Sequence, residues 1–583
     1  LILVMGLAAC NGPLAPCSTG KIETAGSEVA APEAATGRQS SPAVLAKRHL
    51  IVAANPLAAE AGREILRQGG SAVDAAIAAA LVLNLVEPQS SGLGGGGFML
   101  AYDAKRKTVQ AFEGRETAPA AAKPDRFLGP DGKPLGFEDA QASGLSVGVP
   151  GILALYEQAH QQLGKLPWST LFQPAIKLAE SGFAMSPRLV QLLADDTYLP
   201  QSPTAARYFY QPDGKPKPVG TLLRNPEFAE TLKTIAAEGP DAFYRGPIAA
   251  DIAATVSQAW RHPVPMTMAD LAAYRAHATG ALCRPYRDWQ VCSVPPPSSG
   301  GVALLQILTM LEPHEMGAPG TGDLPSLHLV TQAEKLAYAD RAAYLGDPDF
   351  VKVPTEGLLN RTYLAERARQ IETSCSMGKA LPGTPPSAQA YALPTAQYDP
   401  AGTTQLSIVD DEGNAVSLTQ TIESAFGSKL MVRGFLLNNE LTDFAATPES
   451  DGKPVANRVE PGKRPRSSIT PVMVLDREGR LVLVTGSPGG SAIIGYVTKA
   501  VIAMLDGGLD PASAAALPNF VNRNGATELE AGTELSTIAP DLAKLGHDVR
   551  FTDMTSGLNS IRLTPDGLLG GGDPRRESAV LGD

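Results

Sequence analysis

Two alternating apolar stretches, Thr404 to Val409 and Ala415 to Thr421, flank the turn signature Asp410-Asp411-Glu412-Gly413-Asn414. Period-two alternation marks a half-buried strand, and two such runs about a short Gly-containing turn mark a hairpin. Folding about Glu412 sets Thr421 roughly opposite Thr403. A second hairpin is written in Ile469 to Leu475, the turn Asp476-Arg477-Glu478-Gly479 and Leu481 to Thr485. Its register brings Ser467 and Ser468 alongside Ser487 and Pro488, next to Gly489-Gly490. Polar and glycine residues thus gather at the open ends of two hairpins, where strands meet loops and sites are commonly carried. A helix follows from Ser491, so the Gly489 and Gly490 amides lie at its N-terminus and suit a developing negative charge.

Upstream the pattern is helical. Residues 57–68 and 71–86 read as two helices separated by Gly69-Gly70, the second opened by a capping-box-like Ser71 and Asp74. Ala72 to Val86 is apolar nearly all round and is expected to be buried. The run Ser90 to Leu100 is a glycine loop entering a strand. It lacks the Gly-Lys-Ser/Thr of a phosphate loop, so its glycines are read as letting another backbone pass close. Residues 151–183, 226–237, 248–259, 302–312 and 326–345 read as helices, and Pro295 to Gly301 as a rigid, then flexible, hinge. The proline-punctuated residues 375–402 read as a surface loop that could be cut without unfolding the chain.

The 583 residues exceed one ordinary core. A formal charge of −11 with scattered lysines and arginines argues against a nucleic-acid surface. The first nine residues form an apolar h-region, and Leu7-Ala8-Ala9-Cys10 resembles the bacterial lipobox, in which the cysteine is lipidated. Residues 1–10 are therefore read as the remnant of a lipoprotein-type signal and 11–45, rich in Ala, Pro, Ser, Thr and Gly, as a flexible tether. This implies an exported bacterial protein, periplasmic and lipid-anchored. Export allows disulfides. Cys283 and Cys292 flank a turn-like segment and could face each other across a hairpin, whereas Cys375 has no evident partner.

Gly144-Leu145-Ser146-Val147-Gly148 matches the nucleophile elbow by letter, but the strong strand before it and the helix directly after it are both missing. There is no H-E-x-x-H or CxxC, and the seven histidines are dispersed, so neither metal nor cofactor is expected. Gly402-Thr403 remains. A threonine can be nucleophile and, through its own α-amine, general base, but only once the preceding peptide bond is broken. Gly402 leaves room for the geometry autolysis needs. By pattern alone, a Gly-Thr before a strand is usually a plain strand start.

The ordered blocks Gly69 to Ala76, Gly92 to Met99, Gly148 to Gly151, Pro295 to Gly301, Gly402-Thr403-Thr404, Leu436 to Asn439, Arg464 to Ser468 and Gly486 to Gly490 resemble the γ-glutamyltranspeptidase family of N-terminal nucleophile hydrolases, from about residue 45 onward. The resemblance implies an α+β fold, a four-layer αββα sandwich formed jointly by two subunits of one autocleaved precursor. These would be a large subunit, residues 46–402, and a small one, 403–583. It implies that Thr403 attacks γ-glutamyl amides such as glutathione, that Thr421 hydrogen-bonds the nucleophile, and that Gly489 and Gly490 hold the oxyanion. Water or an amino acid or dipeptide acceptor would release the acyl group. Arg115, Ser467 and Ser468 would hold the substrate's α-carboxylate, and Glu440, Asp443 and the residue at 423 its α-ammonium. From the residues alone, Arg115 is an ion-pair partner for Glu113 or Glu116.

The chain departs from that pattern at Glu423, where well-known members carry Asn. An added carboxylate there is expected to raise local negative charge or to pair with an arginine. Gln405 replaces a common His, and the lid segment Phe444 to Lys463 has no tyrosine, which implies a more open pocket. Two alternatives stay open: a glutaryl or cephalosporin acylase on the same scaffold, and a non-catalytic, lipid-anchored binding protein.

Overall fold

The computed structural model describes residues 17–23, 42–389, 391–394, 398 and 402–583. The signal remnant and Cys10 lie outside them. Two seven-stranded antiparallel sheets dominate. The first runs Ala579–Gly582, Leu50–Ala53, Thr404–Val409, Ala415–Thr421, Gly96–Asp103, Thr108–Glu113 and His277–Gly280. The second runs Val44–Ala46, Gly567–Gly572, Asn559–Thr564, Leu481–Thr485, Val472–Leu475, Trp289–Ser293 and Leu282–Tyr286. Each sheet takes strands from both sides of the Gly402–Thr403 bond.

Strand alternation sorts the two faces. Ile51, Ala53, Met99, Leu406 and Ile408 pack outward with the helices Pro56–Arg67 and Ala72–Val86. Leu50, Val52, Phe98 and Leu100 point the other way, into a core shared with Val474 and Leu483 of the second sheet. Polar links cross between the sheets: Ser407 Oγ donates to Asn559 O at 2.7 Å and Ser417 Oγ to Thr485 O at 2.9 Å. Gly300–Leu311, Leu324–Tyr344 and Ile493–Leu505 join the core of the second sheet. Ser71 and Asp74 form the expected capping box, and all of Ala72–Val86 is buried. Each fully buried Leu, Ile or Val there contributes about 1.5–3 kcal/mol.

The first hairpin pairs Thr404 with Gln420 and Val409 with Ala415, so Thr403 and Thr421 are opposite as read. The second differs. Its strand starts at Val472, a bulge sits at Val474/Leu475, and Val472 pairs Thr485. Continued outward, that register sets Ser467 nearer Gly490 than Pro488. The expected helix over 151–183 is three helices, Ile152–Leu163, Trp168–Leu171 and Gln173–Ser181. Gly164 and Pro167 intervene, and the proline lacks the N–H that a continuous helix needs. The Pro295–Gly301 segment is no flexible hinge: a Cβ on Gly300 would sit 2.0 Å from Thr470 Oγ1, and one on Gly301 2.2 Å from Val294 O. Its glycines permit close packing. Gly144–Ser146 is a 3-10 turn whose Ser146 hydroxyl donates to Gln141 O, not an elbow.

Cys283 and Cys292 are cross-strand partners and are bonded. Cys375 does have a partner, Cys17. The same arm places Ile22–Glu23 parallel to Val549–Thr552 in a four-stranded sheet, with Gly20 N donating to Ala543 O at 2.8 Å. Residues 17–23 are therefore fixed to the body rather than part of a free tether. The distant partner of a lone cysteine leaves no local pattern to read.

Candidate active site

Thr403 stands at the mouth of the strand Thr404–Val409, buried, with its peptide bond to Gly402 intact. Its Oγ1 lies 2.5 Å from Gly402 O and 3.3 Å from Thr421 Oγ1. Thr421 Oγ1 donates to Gly402 O at 2.5 Å and accepts from Glu423 N at 2.7 Å. The carbonyl before Thr403 is thus polarised by a relay of two donors, and the hydroxyl that could attack its carbon is within reach. Only glycine fits at 402: a Cβ would sit 2.2 Å from Glu423 O. Arg576, which nothing in the sequence singled out, holds the nucleophile from behind, its Nη1 donating to Thr403 O at 3.0 Å.

A cavity of about 30 Å³ opens beside Thr403. Arg115, Thr421, Glu423, Glu440, Asp443, Ser467, Ser468 and Gly490 share its lining with Gly402, Tyr398 and Arg341. That is room for a water or so, not for a glutamyl group. Tyr398 and Gly402, from the segment before the bond, form part of the cavity wall. Tyr398 packs edge-on to Phe127 and donates to Leu135 O at 2.6 Å. Gly489 adjoins the lining with φ +134°, and a Cβ there would strike the Tyr496 ring at 2.5 Å. Gly490 begins the 3-10 turn Gly490–Ala492 that runs into Ile493–Leu505, which puts its amide at a helix start as read.

The acidic wall is tightly built. Arg115, fully buried, ion-pairs with Glu440 and Asp443, and its Nε donates to Pro465 O at 3.0 Å. The local reading of Arg115 holds for one of its two partners: Glu116 lies 3.9 Å away, a longer ion pair than those with Glu440 and Asp443, whereas Glu113 pairs with Arg464 at 2.7 Å. Asn438 places Glu440: its Oδ1 accepts from Glu440 N and Gly148 N, and its Nδ2 donates to Gly94 O. Burial, opposed by Arg115 and reinforced by Asp443, pushes Glu440 up to about 7. Burial and then Glu440 push Glu116 well above the carboxylate range.

Burial, then Asp443 and Glu440, push Glu423 well above the usual carboxylate range. It has no arginine partner among the described residues. Its Oε2 accepts from Ser424 Oγ at 2.6 Å and Asn439 Nδ2 at 2.8 Å, and its φ of +83° is a conformation that asparagine tolerates better than glutamate.

On the opposite wall the charge is reversed. Arg341, on Leu324–Tyr344, donates from Nη2 to Ser468 Oγ at 2.7 Å and from Nε to Ser299 Oγ at 2.8 Å. Ser299 Oγ passes on to Ser467 O at 2.6 Å. Sequence reasoning missed Arg341 because it lies in the last turn of a helix, 42 and 127 residues from the serines it serves.

A model of the Gamma-glutamyltranspeptidase family matches residues 58–583. The chain belongs to this family. It is 39% identical over 553 residues to the glutathione hydrolase proenzyme of Escherichia coli (strain K12), covering 91% of each chain. It is 36% identical over 549 residues to that of Bacillus subtilis (strain 168), covering 92% of each. Among solved structures it resembles a cephalosporin acylase from Bacillus halodurans, with a TM-score of 0.80 at 26% identity, over 94% of this chain and 98% of the other.

Proposed function

We propose that this γ-glutamyltranspeptidase family member is a proenzyme that cuts itself before Thr403 and then acts as a γ-glutamyltransferase and glutathione hydrolase. The observation that carries the reading is the Thr403–Gly402–Thr421 cluster on the wall of a cavity with oppositely charged sides. Thr403 Oγ attacks the Gly402 carbonyl carbon while Thr421 donates to the carbonyl oxygen. The C–N bond breaks as the amine takes a proton, leaving an ester. Water then splits the ester into a Gly402 carboxylate and a free N-terminal Thr403. Because both sheets take strands from either side of the cut, the two pieces stay together as a heterodimer in one helix–sheet–sheet–helix sandwich.

In the matured site the Thr403 amine acts as base and Oγ attacks the γ-glutamyl carbonyl, with the Gly489 and Gly490 amides facing the developing oxyanion. The leaving amine departs protonated. Water, an amino acid or a dipeptide then takes the acyl group from Thr403. Ser467, Ser468 and Arg115 receive the α-carboxylate; Glu440 and Asp443 receive the α-ammonium, with Glu423 as a hydrogen-bonding neighbour. Intact mass spectrometry tests this: two polypeptides with threonine at the new N-terminus are expected, and an active protein that stays uncut would refute it.

One observation favours a second reading, a glutaryl or cephalosporin acylase: the chain-long likeness to the cephalosporin acylase. Activity on glutaryl but not γ-glutamyl anilides would select it. A non-catalytic binding protein has no use for the Thr403 cluster, and an uncut, inactive wild type would be its signature. For location, we propose an exported, periplasmic protein lipid-anchored at Cys10, tested by palmitate labelling that Cys10→Ala abolishes.

A further inference from the structure

Resting on the function proposed above, one buried cation on the cavity wall is left over by that mechanism. Arg341 has no carboxylate within ion-pair distance among the described residues; its hydrogen-bond partners are two hydroxyls, Ser468 Oγ and Ser299 Oγ. Burying an arginine without a counter-ion is costly, and burial does lower its proton affinity, with Asp443 the carboxylate that acts against this. A fold keeps such a group where an anion is to come.

The hydrogen-bond directions say how it acts. A guanidinium only donates. Ser468 Oγ, accepting from Arg341, has its own proton free, with no acceptor among the described residues, and it faces the cavity. Ser299 Oγ, likewise accepting from Arg341, spends its proton on Ser467 O and fixes that backbone. Ser298 and Thr470 hold the same strand, through Ile469 O at 2.6 Å and Ser468 O at 2.8 Å. Ser468 is thereby made a fixed donor with a positive charge behind it. Arg115, which also lines the cavity, is already engaged by Glu440 and Asp443.

We propose that Arg341 is a positioning residue of the carboxylate pocket, which acts through Ser468 and makes acyl groups bearing a carboxylate the preferred donors. The chemistry offers a clean set of probes. γ-Glutamyl and glutaryl groups share the terminal carboxylate and differ by an ammonium, whereas a 4-aminobutyryl group keeps the ammonium and lacks the carboxylate.

The test compares the three anilides with the mature wild type, Arg341→Gln and Arg341→Lys. For Arg341→Gln the expected result is a fall of ten-fold or more in kcat/KM on both carboxylate-bearing anilides, mostly in KM, with the 4-aminobutyryl anilide changed less than three-fold. Arg341→Lys restores part of the loss. Equal losses on all three anilides, or none, would overturn the proposal. Should Arg341→Gln fail to mature, Ser468→Ala alone and combined with Arg341→Lys carries the test. The double variant is expected to be no worse than the poorer single one, and fully additive losses would overturn action through Ser468. A wild type that turns over none of the anilides would refute the function itself, a distinct result.

Discussion

The two walls of the cavity solve opposite problems. On one, Glu116, Glu440 and Asp443 crowd a single guanidinium, and burial among carboxylates pushes Glu116 and Glu423 well above the usual carboxylate range. On the other, Arg341 hydrogen-bonds two hydroxyls and lies over the Tyr338 ring, with no carboxylate within ion-pair distance among the described residues. The difference teaches where each end of a zwitterion goes: an ammonium can displace Arg115 from Glu440 and Asp443, and a carboxylate can complete the wall that lacks one. A donor with both charges is matched in orientation before any bond to Thr403 forms.

The largest effect comes from removing what stands between the walls. Thr403→Ala should leave a single uncut chain by mass spectrometry and lower turnover by roughly 10⁶-fold. Next, Arg115→Gln strips the acidic wall of its counter-charge. It should cost about 3–5 kcal/mol of stability, read by denaturant unfolding, and reduce turnover of every donor. Asp443→Asn weakens only the ammonium end: γ-glutamyl anilide should lose roughly ten- to a hundred-fold in kcat/KM, as expected for one charge-assisted contact of about 1.5–3 kcal/mol, while glutaryl anilide is nearly unchanged. Equal losses on both would erase the distinction between the walls.

pH sharpens the same contrast. Glu440, pushed up to about 7, ionises as pH rises through that value. KM for γ-glutamyl donors should therefore fall across that window, with no such fall for glutaryl donors, in steady-state profiles. Stability has the opposite sign. The folded state keeps a proton that an unfolded glutamate releases near its ordinary value of roughly 4.3, so Glu440's contribution is lost as pH climbs to about 7. The smallest effect is Glu423→Asn. It relieves a glutamate at φ +83° by about 1 kcal/mol and should raise the thermal midpoint by roughly a degree or two.

What could be read from the sequence was what local pattern controls. The Thr403–Thr421 pairing followed from counting residues about Glu412, since a hairpin without a bulge conserves register. The second hairpin shifted because its bulge at Val474/Leu475 carries no residue signature. The capping box at Ser71 was legible, being a three-residue interaction. Arg341, Arg576 and Glu116 were not, because their meaning lies in partners between 20 and more than 300 residues away. The upward shift of Glu423 was equally hidden, for it arises from burial beside Glu440 and Asp443 rather than from its own identity.

The Cys17–Cys375 bond has a consequence for distance. Cys17 lies seven residues along from Cys10. With lipid on Cys10, the catalytic body would hang from the membrane on a leash of about 25 Å at full stretch, against about 35 Å were the bond opened and the arm held next at Gly20. The bond would set the enzyme's standoff from the bilayer, and with it the layer of periplasm from which substrates are drawn. Fluorescence transfer from a labelled vesicle should show Cys17→Ser riding higher than the wild type; an unchanged distance would remove that role.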